Sequence, residues 1–570
     1  MTDSATKIVD VLVVGTGAAG LTAAVTARKA GLEVLVVEKS DKFGGTTAYS
    51  GGVLWVPGNR HSPGIQQQTG QTDSIDNARA YLAQECGNYI DRDRVEAYLT
   101  TAPRMVEFLE DNTHVQFYGM DYPDYHSESG HSSTVRSIGT VDFTARSLGP
   151  RLKELRNQLP QTLFMGLAVG SGVEMIQFMR AGRSIKAMAF VVGKMLRHFA
   201  QVIRYGEGQQ VVRGRALVAR LARTLFDLDG ALWTSSPVQA LIQLDGRVTG
   251  AKVATANGVM TVEARKGVVL ACGGYPNDPQ RRQETFPSGV AIPTHRTPAN
   301  GGNTGDGIRM AEQVGGSFNP AVANMAPWMP ISVIPGRAGE NGVWPHLVDR
   351  QKPGFIAVLA NGKRFTDESA AYHDMIPDLV QACEKEGYPE ASAWLIGDAG
   401  AVKRWGIGAV RPFPVPHGGH VRSGYLLKAS SIRELAEKTG IDPGNLAATI
   451  IGFNKNARDG VDPEFNRGGR VYDIYQGEAG HAPNPCLGPL ENAPFYAVRI
   501  YASEIGTYAG LRTDVHARVL DGDGRVVPGL YAVGNDQTSV FAGSYPGAGA
   551  TLGPAMTFGF IAGRHLAGAD

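Results

Sequence analysis

VDVLVVGTGAAGLTAAVTARKAGLEVLVVE, residues Val9 to Glu38, places two apolar, mostly β-branched runs on either side of an Ala-rich helical segment. The first run enters the turn Gly15-Thr16-Gly17-Ala18-Ala19-Gly20, and the second ends at Glu38. This order is typical of a dinucleotide-binding βαβ unit, with Gly15 in the tight turn, Gly17 beside the pyrophosphate and Gly20 in the helix–strand contact. The helix N-terminus would face the phosphates, and Glu38 would accept from a ribose hydroxyl.

Small and hydroxyl residues follow the second strand, at Lys39-Ser40, Gly44 to Thr47 and Ser50 to Gly52. Such a stretch alone indicates a flexible loop, but after an intact fingerprint it favours FAD, bound non-covalently, over a nicotinamide cofactor. Later strands ending in glycine would return the chain to the nucleotide. The predicted FAD contacts are Gly15, Gly17, Ala18, Ala19, Gly20, Glu38, Lys39, Ser40, Gly45, Thr46, Thr47, Ser50, Gly51, Gly52, Gly273, Asn303, Gly305, Asp306, Gly534, Asn535, Ala550 and Leu552.

The C-terminal segment predicts a helix that begins after Thr551 and runs to about Ala567. Pro554 would lie in its first turn, where a missing N–H is tolerated. The positive end of this helix would face the electron-rich part of a reduced isoalloxazine ring. A second glycine fingerprint is lacking, so we predict no NAD(P) domain.

Composition limits the function further. The chain has 570 residues, which favours two domains, and its net charge of +1 argues against nucleic-acid binding. Its four cysteines are scattered and form no CxxC pair, so we expect no disulfide framework, no metal site and a reducing, cytoplasmic location. The N-terminal residues 1–10 do not resemble a secretory signal, and residues 537–563 contain too many Gly and Pro for a membrane span.

The predicted fold is α/β: a Rossmann-type FAD-binding domain with an inserted α+β substrate domain. We assign residues 1–302 to the first part of the FAD-binding domain, with a basic helical insertion at about 151–223. Residues 303–493, rich in Trp, Pro and His, would form the substrate domain. Residues 494–570 would complete the FAD-binding domain.

The basic insertion carries thirteen Lys or Arg against three Glu over residues 151–223. Within 185–204, apolar residues recur at helical spacing and Lys and Arg lie elsewhere around the helix. Such a helix either lies on an anionic membrane surface, lines a path for an apolar substrate, or packs against its own core. The expected location is cytoplasmic, and the first of these three alternatives would add a peripheral membrane association.

Four motifs resemble the FAD-dependent 3-ketosteroid Δ1-dehydrogenases, which are related in fold to fumarate reductase flavoproteins. The likeness covers nearly the whole chain. It departs from the family pattern at His126, where a second tyrosine is usual, and at Asp367, where Asn is usual. The motifs are Gly44-Gly45-Thr46, Tyr122-Pro123-Asp124-Tyr125, Arg364-Phe365-Thr366-Asp367-Glu368-Ser369-Ala370-Ala371-Tyr372 and Ser544-Tyr545-Pro546-Gly547-Ala548-Gly549.

The resemblance implies that Tyr125, Tyr372, Tyr545 and Gly549 form the active site. The implied reaction is 1,2-desaturation of a 3-ketosteroid, in which a tyrosine takes the C2 proton and FAD accepts the C1 hydride at N5. Tyr545 and the Gly549 N–H suit an oxyanion hole for the developing enolate. A base at Tyr372 would need a donor such as Tyr125, because tyrosine has a reference pKa near 10. We therefore expect turnover to rise toward alkaline pH.

Three alternatives remain at this point. A Δ4-(5α)-3-ketosteroid dehydrogenase would oxidise another bond of the same ring, and Tyr125 favours the Δ1 reaction. A fumarate reductase-like enzyme would need a histidine that the segment Gly506 to Gly510 lacks. A flavin- or steroid-binding protein without turnover would not need three tyrosines. The physiological electron acceptor would be an external one such as a quinone.

Overall fold

A computed structural model of the chain describes residues 6–336 and 341–569. The described helices are α1 (Ala18–Lys29), α2 (Ser62–Thr69), α3 (Ile75–Cys86), α4 (Arg92–Asn112), α5 (Val173–Arg180), α6 (Ile185–Tyr205), α7 (Arg213–Asp227), α8 (Pro279–Thr285), α9 (Asp306–Gln313), α10 (Tyr372–Lys385), α11 (Ala399–Trp405), α12 (Gly418–Arg422), α13 (Ile432–Thr439), α14 (Pro443–Asp459), α15 (Val471–Gln476) and α16 (Leu552–Ala567).

The strands follow the same chain order. They are β1 (Thr6–Val14), β2 (Val34–Val37), β3 (Val53–Trp55), β4 (Phe117–Gly119), β5 (Ser137–Thr140), β6 (Phe143–Thr144), β7 (Gln210–Val211), β8 (Ala231–Trp233), β9 (Val238–Leu244), β10 (Arg247–Thr255), β11 (Gly258–Leu270), β12 (Phe318–Asn319), β13 (Trp328–Ile334), β14 (Gly342–Pro345), β15 (Phe355–Val358), β16 (Ser392–Gly397), β17 (Leu427–Ala429), β18 (Phe495–Glu504), β19 (Gly510–Leu511), β20 (Arg518–Leu520) and β21 (Val526–Ala532).

The first sheet contains the predicted βαβ unit. Its order is β20-β21-β11-β1-β2-β8, and β1 lies parallel to both β11 and β2. All four residues of β2 are buried, as expected for a parallel strand covered on both faces. The predicted α/β class with a Rossmann-type domain is confirmed, because β1, α1 and β2 follow one another as the glycine fingerprint required.

Helix α16 covers α1 so closely that side chains are excluded from the contact. A Cβ placed on Gly559 would lie 2.4 Å from the carbonyl oxygen of Ala19, and one on Gly563 would lie 2.8 Å from that of Ala23. The C-terminal helix is thereby fixed against the helix that follows the glycine turn. Its N-terminus points toward the same end of the sheet, as its predicted role requires.

The second sheet is antiparallel, in the order β14-β13-β18-β16-β15, with β17 paired to β18. Helix α10 packs on this sheet through buried Met375, Ile376 and Leu379. Strand β18 is central to the second sheet although it follows the predicted limit at residue 493. We therefore propose that the chain returns to the FAD-binding domain after Glu504; the other domain limits stay as predicted.

A third, three-stranded sheet, β3-β5-β4, supports the loop that carries Tyr125. Asp124 is buried in this loop. Its carboxylate accepts from Trp55 Nε1 at 2.7 Å and from Arg136 Nη1 at 2.7 Å. Because a buried carboxylate without partners would be costly, these contacts fix the backbone just before Tyr125.

Helix α6 turns an apolar stripe outward. Its buried face is made of Ala187, Val191, Met195 and His198. The opposite stripe includes Ile185, 90% exposed, Leu196, 65% exposed, and Ile203, 87% exposed. Most of the apolar residues predicted at helical spacing therefore do not pack against a core of this chain. None of the helices in the described part of the chain combines the length and hydropathy needed to cross a bilayer.

Candidate active site

A continuous cavity of about 530 Å³ runs from the glycine turn after β1 to the space between the first and second sheets. It begins at the carboxyl ends of parallel strands, where α/β folds bind nucleotides. The predicted catalytic residues Tyr125, Tyr372, Tyr545 and Gly549 all line its far end. Most of the surrounding side chains there are apolar, including Met120, Leu159, Met175, Met329, Leu347 and Val348.

The glycine turn fits a dinucleotide pyrophosphate. A Cβ on Gly15, whose φ is +110°, would lie 2.2 Å from the Ala271 carbonyl oxygen, and one on Gly20 would lie 2.3 Å from that of Gly15. By contrast, a Cβ on Gly17 would meet only Thr47 Oγ1, at 3.5 Å. Gly15 and Gly20 therefore allow close packing of protein on protein, while Gly17 faces the cavity. Helix α1 begins at Ala18, so its positive end points into the same space.

Three polar contacts order the end of the cavity beside the glycine turn. Glu38 accepts from Thr16 Oγ1 at 2.5 Å and from the Ser40 N–H at 3.0 Å, which fixes the carboxylate beside the turn. Lys39 Nζ lies 2.5 Å from Asp306 Oδ2. The fingerprint acid and the residue after it are thus held at the cavity wall by partners from both sides.

Most of the predicted FAD contacts line this cavity. The exceptions have other places in the structure: Gly20 in the helix–strand contact, Ser40 behind Glu38, Gly305 at the N-cap of α9, and Ala550 buried before α16. Those that line it are Gly15, Gly17, Ala18, Ala19, Glu38, Lys39, Gly45, Thr46, Thr47, Ser50, Gly51, Gly52, Gly273, Asn303, Asp306, Gly534, Asn535 and Leu552.

Three tyrosines that are distant in sequence meet at the far end, Tyr125 and Tyr545 from loops and Tyr372 from the first residue of α10. Tyr125 Oη donates to Tyr372 Oη at 3.3 Å. The ring of Tyr545 stacks on that of Tyr125, with centroids 5.5 Å apart, and meets that of Tyr372 edge-on at 5.3 Å. The loops are also joined through the backbone, because the Tyr125 N–H donates to the carbonyl oxygen of Pro546 at 3.0 Å.

Burial controls the acidity of this cluster. It raises the pKa of Tyr372 well above 10, the like charge that Tyr545 would carry raises it further, and the hydrogen bond from Tyr125 lowers it. Burial also raises the pKa of Tyr545, against hydrogen bonds with Tyr372 and Thr551 that lower it. The three side chains are therefore neutral at neutral pH, and a tyrosinate would form only with help from neighbouring donors.

Gly549 has a backbone that only glycine adopts readily at this place. Its φ is +96°, and a Cβ would lie 2.5 Å from the carbonyl carbon of Leu54 and 2.5 Å from the amide nitrogen of Trp55. Its carbonyl oxygen accepts from the Trp55 N–H, whereas its own N–H has no hydrogen-bond acceptor within residues 6–336 and 341–569. The free N–H lies in the wall of the cavity beside Tyr545.

His126 connects the first two tyrosine loops, a role that sequence reasoning missed. Its Nδ1 lies 2.6 Å from Glu85 Oε2, and its Nε2 lies 2.9 Å from Asp374 Oδ2, two residues after Tyr372. Burial alone would lower the pKa of His126, but the two carboxylates, Asp374 foremost, raise it well above 6.5. The one sequence feature that marked this position was the histidine in place of the usual second tyrosine. That feature does not show that a charged imidazole connects the segment of Tyr125 to the segment of Tyr372.

Fold and site together define a flavin-dependent dehydrogenase with the fumarate reductase-like fold. The family model described as "FAD binding domain" matches residues 10–552. The 4-oxocyclohex-2-ene-1-carboxylate 5-dehydrogenase of Sinomonas cyclohexanicum is 37% identical over 98% of this chain and 93% of its own length. The 3-oxosteroid 1-dehydrogenase of Mycolicibacterium smegmatis is 35% identical over 98% of this chain and 97% of its own.

A crystal structure shows the same likeness in three dimensions. The 3-ketosteroid Δ1-dehydrogenase of Sterolibacterium denitrificans, solved in complex with 1,4-androstadiene-3,17-dione, superposes with a TM-score of 0.90 at 34% identity, covering 99% of this chain and all of its own. The chain belongs to the FAD binding domain family and, within it, to the 3-ketosteroid Δ1-dehydrogenase family. The predicted family, oxidoreductase class and cofactor FAD are confirmed.

Proposed function

We propose that the protein desaturates the C1–C2 bond of 3-ketosteroids, converting 3-keto-4-enes to 3-keto-1,4-dienes. The observation that carries this proposal is the meeting of Tyr125, Tyr372 and Tyr545 at one end of a cavity whose other end fits a dinucleotide. The apolar wall between them suits a steroid skeleton. Relatives whose names give this activity cover nearly the whole chain, which supports the same reaction here.

Tyr372 is the base that takes the C2 proton in this proposal. Its hydroxyl already accepts a hydrogen bond from Tyr125, and that donor would stabilise the tyrosinate more than the neutral phenol. When bound, FAD would accept the hydride from C1 at its N5. Because burial raises the pKa of Tyr372, we expect kcat/KM to rise toward alkaline pH. A profile that is flat from about pH 6 to 10, with chemistry rate-limiting, contradicts a tyrosine base.

Tyr545 and Gly549 would bind the ketone oxygen. A proton beside a ketone becomes acidic only when the developing enolate oxygen receives hydrogen bonds. The hydroxyl of Tyr545 and the unused N–H of Gly549 line the same part of the cavity, so both would donate to that oxygen. In this proposal Tyr372 is the base, and Tyr545 is a hydrogen-bond donor to the carbonyl oxygen.

The deciding experiment mixes the purified holoprotein with androst-4-ene-3,17-dione without oxygen. Bleaching of the flavin absorbance together with formation of the 1,4-diene is the expected result. A 5α-reduced 3-ketosteroid tested in parallel distinguishes the alternative Δ4-(5α) reaction, which would introduce a C4–C5 double bond instead. Fumarate with reduced enzyme tests the fumarate reductase alternative. Failure of every ketone to bleach the flavin would leave a binding protein without turnover.

A single-ring keto acid is a second candidate substrate. One relative at 37% identity and another at 34% are named for 4-oxocyclohexene and 4-oxocyclohexane carboxylates. Both reactions remove hydrogen from the α and β carbons of a ring ketone, so the tyrosine cluster would serve either. Comparing kcat/KM for 4-oxocyclohexane-1-carboxylate and for the steroid tests which ring system the cavity prefers.

We also propose that the outward stripe of α6 binds an anionic bilayer from one side. The stripe places Leu196 and Ile203 in solvent beside exposed Arg197 and Arg204, whereas Lys194 is paired with Glu174 at 2.8 Å. Apolar insertion combined with attraction to acidic lipid is the usual basis of interfacial binding.

Flotation with phosphatidylcholine–phosphatidylserine vesicles tests this membrane contact. Leu196→Glu with Ile203→Glu should abolish co-flotation. Ile451→Glu, which changes an equally exposed residue on α14, should leave it intact. Absence of wild-type binding contradicts the proposal.

A quinone is the electron acceptor we propose, because the sequence contains no second dinucleotide fingerprint. Reoxidation of the reduced flavin by a soluble quinone analogue tests this proposal.

A further inference from the structure

Arg213 is one of the residues that line the cavity, and no described carboxylate lies within ion-pairing distance of its guanidinium. Its only described protein acceptor is the Gly170 carbonyl oxygen, 3.3 Å from Nη2, and its shielded Nε has none. The other cation in the cavity wall, Lys39, is paired with Asp306. Within residues 6–336 and 341–569, Arg213 is therefore the cavity cation that lacks a compensating charge.

A buried arginine is usually paired with a carboxylate; Arg94, Arg215 and Arg350 of this chain lack such a partner among the described residues, but they lie outside the cavity. Arg136 shows the usual solution, since both Asp73 and Asp124 lie 2.7 Å from its guanidinium. Arg213 is partly exposed and contacts the cavity, so an anion that enters the cavity could reach it. Arg213 thus combines the lack of a carboxylate partner with a place in the wall of a ligand cavity, which favours a binding role.

The backbone of Arg213 adds a second observation. Its φ is +55°, a conformation that non-glycine residues adopt rarely and at a cost. Gly52, also in the cavity wall, packs directly against it: a Cβ on Gly52 would lie 2.4 Å from the Arg213 carbonyl carbon. The strain places the arginine at the first residue of α7, beside the loop predicted to contact the flavin.

The groups around Arg213 do not supply the missing charge. Glu174 is the acidic neighbour that acts on it most strongly, but one oxygen of that carboxylate binds Lys194 and neither reaches ion-pairing distance of Arg213. Tyr118, Asp142 and Arg411 act on the pKa of Arg213 more weakly than Glu174 does. Burial lowers the pKa of Arg213, yet a guanidinium keeps its charge at neutral pH.

We infer that Arg213 binds the carboxylate of an acidic ring-ketone substrate whose ketone lies at the tyrosine cluster. This inference rests on the proposed function and specifies its substrate class. A guanidinium presents a planar fork of N–H donors that matches a carboxylate, so the acid would complete the pairing that the protein leaves open. In a cavity whose wall is otherwise mostly apolar, this contact would select acids over neutral ketones of equal size.

The test pairs Arg213→Met with Arg213→Lys. Both are unbranched residues at the same positive φ, so the strain is matched and the difference isolates the charge. Equilibrium binding of cyclohexanecarboxylate, which has no ketone to oxidise, is measured by calorimetry on the holoprotein, with cyclohexanecarboxamide as the neutral probe. The wild-type protein should bind the acid at least about tenfold more tightly than the amide. Arg213→Met should remove that preference, and Arg213→Lys should keep part of it.

Turnover supplies the second measurement. For 4-oxocyclohexane-1-carboxylate, Arg213→Met should lower kcat/KM about a hundredfold, while its methyl ester should change less than about threefold. Glu174→Gln removes the nearest competing carboxylate and should bind the acid at least as well as wild type. Equal losses for acid and ester, or loss of FAD from Arg213→Met, would overturn the inference. If no ketone bleaches wild-type flavin, the proposed function fails instead, whatever the binding of the acid.

Discussion

At the dinucleotide end of the cavity the wall is mainly backbone, whereas at the tyrosine end it is formed by side chains from three segments that are distant in sequence. Gly15, Gly17 and Gly20 lie within one turn. Their contribution is the absence of a side chain, since a Cβ at Gly15 or Gly20 would clash with backbone atoms. Tyr125 and Tyr372 are 247 residues apart and act through their hydroxyl groups. The first end follows from local sequence, and the second exists only when the whole chain is folded.

This difference means that the tyrosine end should be removable without emptying the dinucleotide end. Tyr372→Phe should lower kcat about a thousandfold or more, because the proposed base loses its only proton-accepting atom. FAD content should stay at the wild-type level, since the substitution leaves the glycine turn intact. Stopped-flow bleaching of the flavin gives the rate and absorbance after denaturation gives the FAD content.

Tyr475→Phe is the matched control for that variant. Tyr475 lines the same cavity, but its ring packs on Tyr122, with centroids 4.9 Å apart. It should retain turnover within a few-fold of wild type. Wild-type turnover in Tyr372→Phe would mean that the base is another residue.

Gly549→Ala tests the one place where the tyrosine end also depends on backbone. The added Cβ would lie 2.5 Å from the backbone of Leu54 and Trp55, so the N–H proposed for the ketone oxygen must move. Loss of one oxyanion donor lowers kcat about a hundredfold to a thousandfold. Gly480→Ala is the control, because its φ is also positive, at +84°, and its Cβ would meet nothing. Similar turnover in both variants would argue against an oxyanion role.

Tyr125→Phe should have a smaller and more specific effect. Its hydroxyl lowers the pKa of Tyr372, so without it the pKa of Tyr372 rises further above 10. Activity that requires deprotonated Tyr372 should then fall about tenfold to a thousandfold near neutral pH, and the alkaline rise in kcat/KM should move to higher pH. A pH profile identical to that of wild type, merely scaled down, would mean that Tyr125 positions the substrate instead.

The same contrast explains what the sequence could predict. The order β1, α1, β2 follows from periodicity and glycine spacing over thirty residues, and it defines the fold and the FAD site. The tyrosines of the candidate site are predicted from family motifs alone, because no local sequence pattern predicts a hydrogen bond between Tyr125 and Tyr372. The exposure of the apolar stripe of α6 could not be predicted from periodicity, because periodicity identifies the apolar face of a helix but not whether another part of the chain covers it. The proposed role of Arg213 could not be predicted either, because the sequence of a basic segment does not show which arginine lacks a carboxylate partner.

His126 offers the smallest predicted effect on turnover and a separate effect on stability. It lies behind the tyrosines and joins Glu85 to Asp374, so His126→Gln should lower kcat only a few-fold. Its folded-state pKa is raised well above 6.5, so its stabilisation is fully present below about pH 6.5 and is lost as pH rises through that higher pKa. His126 and Asp374 are partly exposed, so removing the cation should cost less than in a fully buried pair, about 1 to 3 kcal/mol at pH 6.

The measurement is the difference in free energy of unfolding between wild type and His126→Gln at pH 6 and at pH 10. The difference should shrink at the higher pH, where wild-type His126 moves toward its neutral form. His131→Gln is the control, because that imidazole bonds to Asn77 Oδ1 at 2.9 Å rather than to a carboxylate. If the loss is the same at both pH values, His126 joins the loops by hydrogen bonding and shape alone. The tyrosine end would then depend on packing between its loops rather than on a charge shared by them.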